Sequence, residues 1–253
     1  MVVEGRGLHS GAESRVILTR APGPVTLLGT PIAHLRVVDT ERATTVESPR
    51  VRTVEHLFAA FAGLGIQSGV AIDVEGGELP LLDGGAAAWC EALVELGVVA
   101  EAPRLRVVRD GHVEVGQSVY AFGVAVEVEV EVEVDVEVEV ERHARWSGDA
   151  DDFRARIAPA RTFAVERDVA LLAKRGLASH VDPTSVVVLT ERGVLAAGRP
   201  FTADEPARHK LLDLVGDLYL YGGPAIGRLY ARRPGHTATH AAVRAAFARG
   251  LLA

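Results

Sequence analysis

The run from Val126 to Glu141 alternates valine with carboxylate at every step, so Glu127, Glu129, Glu131, Glu133, Asp135, Glu137, Glu139 and Glu141 fall on one side of an extended chain. Period two is the period of a strand and not of a helix, and it asks for an antiparallel strand with one buried and one solvated face. At about 3.3 Å per residue, sixteen residues would reach about 53 Å, too long for one strand of a domain this size. A turn is therefore expected inside the run. A shift of two residues restores the same pattern, so the repeat also permits register slips. A carboxylate row could be a cation-binding face, but identical side chains alternating with valine define no ligand geometry. It reads as a solvated face.

The ladder also accounts for the acidity of the chain. Removing its eight carboxylates from the 34 acidic residues leaves 26, against 27 lysines and arginines. The remainder is near neutral and has no basic block, which argues against a nucleic-acid partner. At 253 residues, with 48% hydrophobic and 24% charged residues, the chain has room for one or two domains with a sizeable core. Disordered, collagenous and disulfide-rich classes are excluded. Cys90 is the lone cysteine and fits a reducing compartment. No window approaches the eighteen or so consecutive apolar residues of a transmembrane segment, and Met1 to Gly7 lacks the pattern of a signal peptide. The expectation is a soluble, cytoplasmic protein.

Along the chain, Arg15 to Leu18 and Ala33 to Val38 read as strands. Thr53 is a plausible N-cap for a helix through Leu57 to Leu64 with glycine stops at 63 and 65, which puts Glu55 and His56 in its first turn. A strand at Val70 to Val74 and a helix from Ala86 to Leu96 complete a first cycle, and Ala100 to Arg104 reads as a linker. The second cycle holds strands from Leu105 to Glu141, helices near Ala150 to Ile157 and Val165 to Lys174, and a strand at Ser185 to Leu189. A helix from Glu205 to Tyr221, a strand near Ala225 to Tyr230 and a helix from Thr239 to Ala248 follow. Two α+β units of similar content, divided as residues 1–102 and 103–253, are the simplest organisation.

On the helix from Glu205, the side chains of His209, Asp213 and Asp217 recur every fourth residue and stack along one stripe. Such a pair can hold a metal ion, although an ion pair on a helix surface is the commoner meaning. Glu55-His56 at a helix start offers a complementary carboxylate and imidazole, and its plain alternative is an acid favoured by the helix dipole beside a surface histidine. His236, after Gly235, reads by default as a mobile loop residue, and Cys90 beside Trp89 as a buried small hydrophobe.

These residues sit in a longer ordered text: Gly5-Arg6-Gly7-Leu8-His9-Ser10-Gly11, Thr53-Val54-Glu55-His56-Leu57, Ala62-Gly63-Leu64-Gly65-Ile66, Leu79-Pro80-Leu81-Leu82-Asp83-Gly84, Ala160-Arg161-Thr162-Phe163, His209 to Leu220, and Gly235-His236. That set resembles the UDP-3-O-acyl-N-acetylglucosamine deacetylases, the zinc amidases of lipid A synthesis, from Gly5 to about Val243. The resemblance implies Zn²⁺ held by His56, His209 and Asp213, with Glu55 as general base. It implies Thr162 and Lys210 stabilising the oxyanion, and His236, held protonated by Asp217, stabilising charge or protonating the departing amine. Phe163 would touch the substrate, a UDP-linked acylated amino sugar. The implied fold is α+β: two similar domains, each a mainly antiparallel sheet with helices, packed helix layer to helix layer with the sheets outside. A monomer is expected. The ligand types by themselves suit zinc or iron.

The text departs from the family pattern in places. Ser179-His180-Val181-Asp182-Pro183-Thr184 replaces a glycine-rich stretch that lines the acyl-chain passage. Val165 stands where the family has an aromatic, and the segment between Arg20 and Val51 is short. Thr237-Ala238-Thr239-His240 replaces asparagines after the Gly-His pair. Two other readings stay open at this point: an enzyme deacetylating a different N-acetylated sugar, or a non-catalytic binder or regulator that keeps zinc as a structural ion.

Overall fold

In the computed structural model, which describes residues 1–47, 50–167, 169 and 180–253, the valine ladder enters a five-stranded sheet. Only its first part is strand, Val128–Glu133 (β11). The chain then bends at residues 137–139 and returns as His143–Trp146 (β12), with the Val134 N–H donating to Arg142 O at 2.8 Å. The turn required by the length of the run is therefore present. Val130, Val132 and Val134 are buried, while the acids meet partners across the sheet: Arg145 lies 2.9 Å from Glu131 and Arg233 3.0 Å from Asp135. The neighbours thus pin a register that the repeat leaves open. Contrary to a purely antiparallel expectation, β11 pairs antiparallel with β12 but parallel with Gly227–Arg232 (β16). Ser118–Gly123 (β10) and Gly111–Val115 (β9) finish the order β12-β11-β16-β10-β9.

The first half of the chain builds a second five-stranded sheet. Its strands are Val2–Arg6 (β1), Glu13–Pro24 (β2), Thr26–Leu27 (β3), Thr30–Pro31 (β4) and Ser68–Glu75 (β8), in the order β1-β2-β8-β3-β4. Two three-stranded sheets are smaller: Arg36–Asp39 (β5) with Thr45–Glu47 (β6) and Val51–Arg52 (β7), and Thr162–Val165 (β13) with Val186–Thr190 (β14) and Gly193–Ala196 (β15). The strand expected from Ala33 begins only at Arg36, because Ile32–His34 forms a single 3₁₀ turn after Pro31.

Among the described residues, helices run over Glu55–Gly63 (α1), Ala87–Leu96 (α2), the one-turn Ala150–Asp152 (α3) continued by a wide turn Phe153–Ile157, Glu205–Tyr219 (α4) and His236–Ala248 (α5). Helix α2 lies on β2 of the first sheet, α4 on β11 and β12 and α5 on β9 of the second, and α1 packs on α4 between them. This is the α+β arrangement expected, with helices meeting at the centre and sheets outside. Every residue of α1 is buried, as a helix in that position must be. The two central helices come unusually close at Gly216, where a Cβ would sit 2.1 Å from the Glu55 carbonyl oxygen. Any side chain there would push the two rows of functional residues apart.

Three local expectations are corrected. Thr53 does not cap α1: Val54 occupies that place, and Thr53 adopts φ +59° and donates its hydroxyl to Glu78 at 3.0 Å. Glu78 also accepts the N–H groups of His9 and Ser10, so this buried acceptor outcompetes the helix end. Val165 ends strand β13, drawn there by pairing with Leu189, instead of opening a helix. The rest of the helix expected to Lys174 lies outside the described residues, apart from helical backbone at 166, 167 and 169. Helix α5 begins at His236, three residues before the expected Thr239, so His236 is no mobile loop residue but a first-turn side chain only 8% exposed.

Candidate metal centre and proton-transfer site

Helices α1 and α4, packed against each other, supply the centre. His56 follows Glu55 at the start of α1, and His209 and Asp213 lie one turn apart on α4, within a run whose Leu211, Leu212, Leu214 and Leu218 are buried. His209 Nε2 is 3.4 Å and His56 Nε2 3.7 Å from the same oxygen, Asp213 Oδ1. These distances are too long for good hydrogen bonds. They match ligand atoms sharing one ion, since bonds of about 2.0–2.1 Å at a tetrahedral angle separate neighbouring ligands by about 3.3 Å.

Further details fit a metal. Among the described residues, Asp213 Oδ1 is buried with no hydrogen-bond donor, which is costly for a carboxylate oxygen with no ion to meet. Its other oxygen, Oδ2, accepts the Lys210 ammonium at 2.7 Å, while Oδ1 is the oxygen left to face the histidines. His209 Nδ1 lies 3.0 Å from Ala160 O, so that nitrogen carries the hydrogen and Nε2 presents its lone pair. Burial lowers the His209 pKa to about 4 against the pull of Asp213, so the ring is neutral as a ligand must be. His56, His209 and Asp213 could therefore hold a divalent metal ion.

Glu55 stands beside this set. The Thr44 N–H donates to its Oε2 at 3.0 Å, and its Oε1 is 3.7 Å from His236 Nε2. Burial raises the Glu55 pKa above the ordinary range, with His236 and His56 opposing. His236 is differently placed. Burial pushes its pKa down, but Asp217, whose Oδ2 is 2.8 Å from Nδ1, and Glu55 outweigh it and hold it up at about 10. Asp217 in turn is kept well below the usual carboxylate range: burial raises it, and His236 and His240 more than compensate.

Glu55, His56, Thr162, Phe163, His209, Lys210, Asp213 and His236 all line one cavity of about 430 Å³. Asp217 is the expected site residue that does not line it, because it stands behind His236. Thr162 is fixed by its N–H to Gly84 O at 2.7 Å, and Gly84, at φ +84°, lies so near Ser185 that no Cβ fits. Phe163 meets the His209 ring edge-on and carries the Lys210 ammonium 5.5 Å from its centroid. The departures also have places. His180 Nε2 is 3.0 Å from Leu8 O, and Val181 and Val186 form part of the cavity wall. Ser179 lies outside the described residues.

Thr44 and Tyr221 escaped sequence reasoning, and His240 was noticed only as a departure. The Thr44 hydroxyl donates to Asp217 Oδ1 at 2.6 Å, and His240 stands 3.3 Å from the same oxygen. The spacing of four between His236 and His240 on a helix could have flagged the latter. Nothing near Thr44 in the sequence could flag its hydroxyl, whose partners are 173 and 196 positions away.

A family model described as LpxC: UDP-3-O-acyl N-acetylglycosamine deacetylase matches residues 1–248. The UDP-3-O-acyl-N-acetylglucosamine deacetylase of Myxococcus xanthus is 36% identical, over 96% of this chain and 82% of its own length. Those of Shewanella loihica and Brucella melitensis biotype 2 are each 33% identical, over 96% and 97% of this chain and 86% and 92% of theirs. With a matching model along nearly its full length and relatives of this similarity, the chain belongs to the UDP-3-O-acyl-N-acetylglucosamine deacetylase family.

Proposed function

We propose that this chain hydrolyses the acetamide of a UDP-linked, 3-O-acylated N-acetylglucosamine, releasing acetate, as a step of lipid A biosynthesis, and that it works as a cytoplasmic monomer. Family membership supports the substrate. The observation that carries the chemistry is the convergence, in one cavity, of a buried His₂Asp donor set, whose Asp213 Oδ1 has no hydrogen-bond donor, with a buried carboxylate and an imidazole held charged by Asp217. A purely structural ion needs the first but neither of the others.

His56, His209 and Asp213 would hold the ion, which we take to be Zn²⁺. When bound, it supplies a Lewis acid that acidifies a water and polarises the amide carbonyl. Glu55, raised by burial and oriented by the Thr44 N–H, takes the proton of the attacking water. Thr162 and Lys210 face the oxygen on which negative charge develops, Lys210 being anchored by Asp213. His236, kept charged by Asp217, stabilises that charge and gives its proton to the amine nitrogen as the C–N bond breaks. Phe163 forms an apolar wall for the sugar-bound substrate.

Purified protein loaded with Zn²⁺ should release one acetate for each UDP-3-O-acyl-N-acetylglucosamine consumed. A chelator should abolish release and added Zn²⁺ restore it. A folded, zinc-replete protein that releases none would overturn the reading.

A further inference from the structure

The mechanism leaves one buried imidazole unused. His240, 1% exposed, sits one turn beyond His236 on α5 and is held on both sides. Its Nε2 is 3.3 Å from Asp217 Oδ1 and 3.2 Å from Thr44 Oγ1, and its Nδ1 is 2.9 Å from the Tyr221 hydroxyl.

The hydrogens can be placed by elimination. The Thr44 hydroxyl has a single proton, and at 2.6 Å from a buried carboxylate oxygen that proton is directed to Asp217 Oδ1. It cannot also be given to His240, so Nε2 of His240 is the nitrogen that carries hydrogen, aimed at Asp217 and the Thr44 oxygen. Asp217 thus receives Thr44 and His240 on Oδ1, and His236 on Oδ2. A carboxylate gripped on one oxygen by groups from two distant parts of the chain is held against rotation. Its second oxygen is then fixed in the direction of His236.

We propose that His240, locked by Tyr221 and assisted by Thr44, is a positioning residue that orients Asp217 and, through it, the His236 imidazolium over the cavity floor. The inference rests on the proposed deacetylase chemistry and deepens it. His240 itself touches neither the cavity nor the candidate metal ligands.

The test is a mutant cycle on the zinc-loaded protein with the UDP-3-O-acyl-N-acetylglucosamine substrate. His240→Phe keeps a ring but removes both nitrogens. It should lower kcat about tenfold, in the range of second-sphere partners, with KM and bound zinc unchanged. His240→Gln, which retains an N–H donor, should recover most of the loss. In an Asp217→Asn background His240→Phe should cost less than twofold more, because its effect runs through Asp217. The His236 Nδ1 proton, bonded to a buried carboxylate, should give a downfield proton resonance that is lost or displaced in His240→Phe.

Equal kcat for parent and His240→Phe would overturn the proposal. So would independent, multiplicative losses in the cycle, which mark a role in packing alone. If His240→Phe does not fold, Tyr221→Phe carries the same comparison, with a smaller kcat loss expected and no loss overturning it. An inactive parent protein would instead strike the deacetylase reading, so the two failures are distinguishable.

Discussion

Two regions of this molecule set carboxylates beside packed apolar side chains, and they use them in opposite ways. In the ladder, eight acids alternate with valine at the edge of solvent, and those that find partners meet side chains of neighbouring strands, as Glu131 meets Arg145 and His143, Glu133 meets Tyr230 and Asp135 meets Arg233. At the interface of α1, α4 and α5 the described residues place three, Glu55, Asp213 and Asp217, all at least 96% buried, and their oxygens meet specific groups, two of them on Asp217 Oδ1, except for the bare Asp213 Oδ1. Number and regularity of acids therefore say little about chemistry. Burial, which makes an unpaired charge costly, obliges every partner to be specific.

The comparison is broken most severely by removing the acid that faces both histidines. Asp213→Ala takes away the shared oxygen, and its zinc affinity should fall by more than the roughly 10–100-fold that an outer-sphere partner is worth. Metal content after mild chelation reads this, and stoichiometric retention would count against the site. Asp217→Asn is the next test. It removes the largest charge holding His236 up at about 10, so the pKa falls and the alkaline limb of the kcat/KM profile moves to lower pH. An unmoved limb would mean that His236 does not carry the proton.

The ladder should respond only in stability. Val132→Ala, at a fully buried position, should cost about 2 kcal/mol by denaturant unfolding at two methylene equivalents, with kcat intact. Glu131→Gln breaks only partly exposed pairs and should change stability by no more than about 1 kcal/mol. A large loss of turnover from Glu131→Gln would erase the distinction between the two regions.

What was legible in the sequence follows the same division. Patterns that a single element expresses were readable: the ladder and its turn, the buried leucines of α4, and the stripe of His209, Asp213 and Asp217. Helix and strand bounds moved where tertiary partners compete with local preference. Glu78 captured Thr53, and pairing with β14 turned Val165 into strand. The union of α1 with α4 was reached through resemblance, since no spacing within either helix says that Glu55 and His56 lie opposite Asp213. His236 was misjudged as a loop residue because Gly235 resembles a break; in the fold Gly235 precedes the first turn of α5, and the Thr239 N–H returns to its carbonyl at 2.8 Å. Thr44 and Tyr221 were beyond reach, their roles being created only by long-range contact.

The proposed chemistry turns on the buried acid beside the donor set, Glu55, moving the proton of the attacking water. The most direct measurement is acetate release from UDP-3-O-acyl-N-acetylglucosamine by the zinc-loaded protein beside its Glu55→Gln variant, with bound metal quantified in both. Equal zinc and a turnover lower by roughly 10²–10⁴ are expected in the variant, the usual worth of a general base. Equal turnover at equal zinc would contradict it.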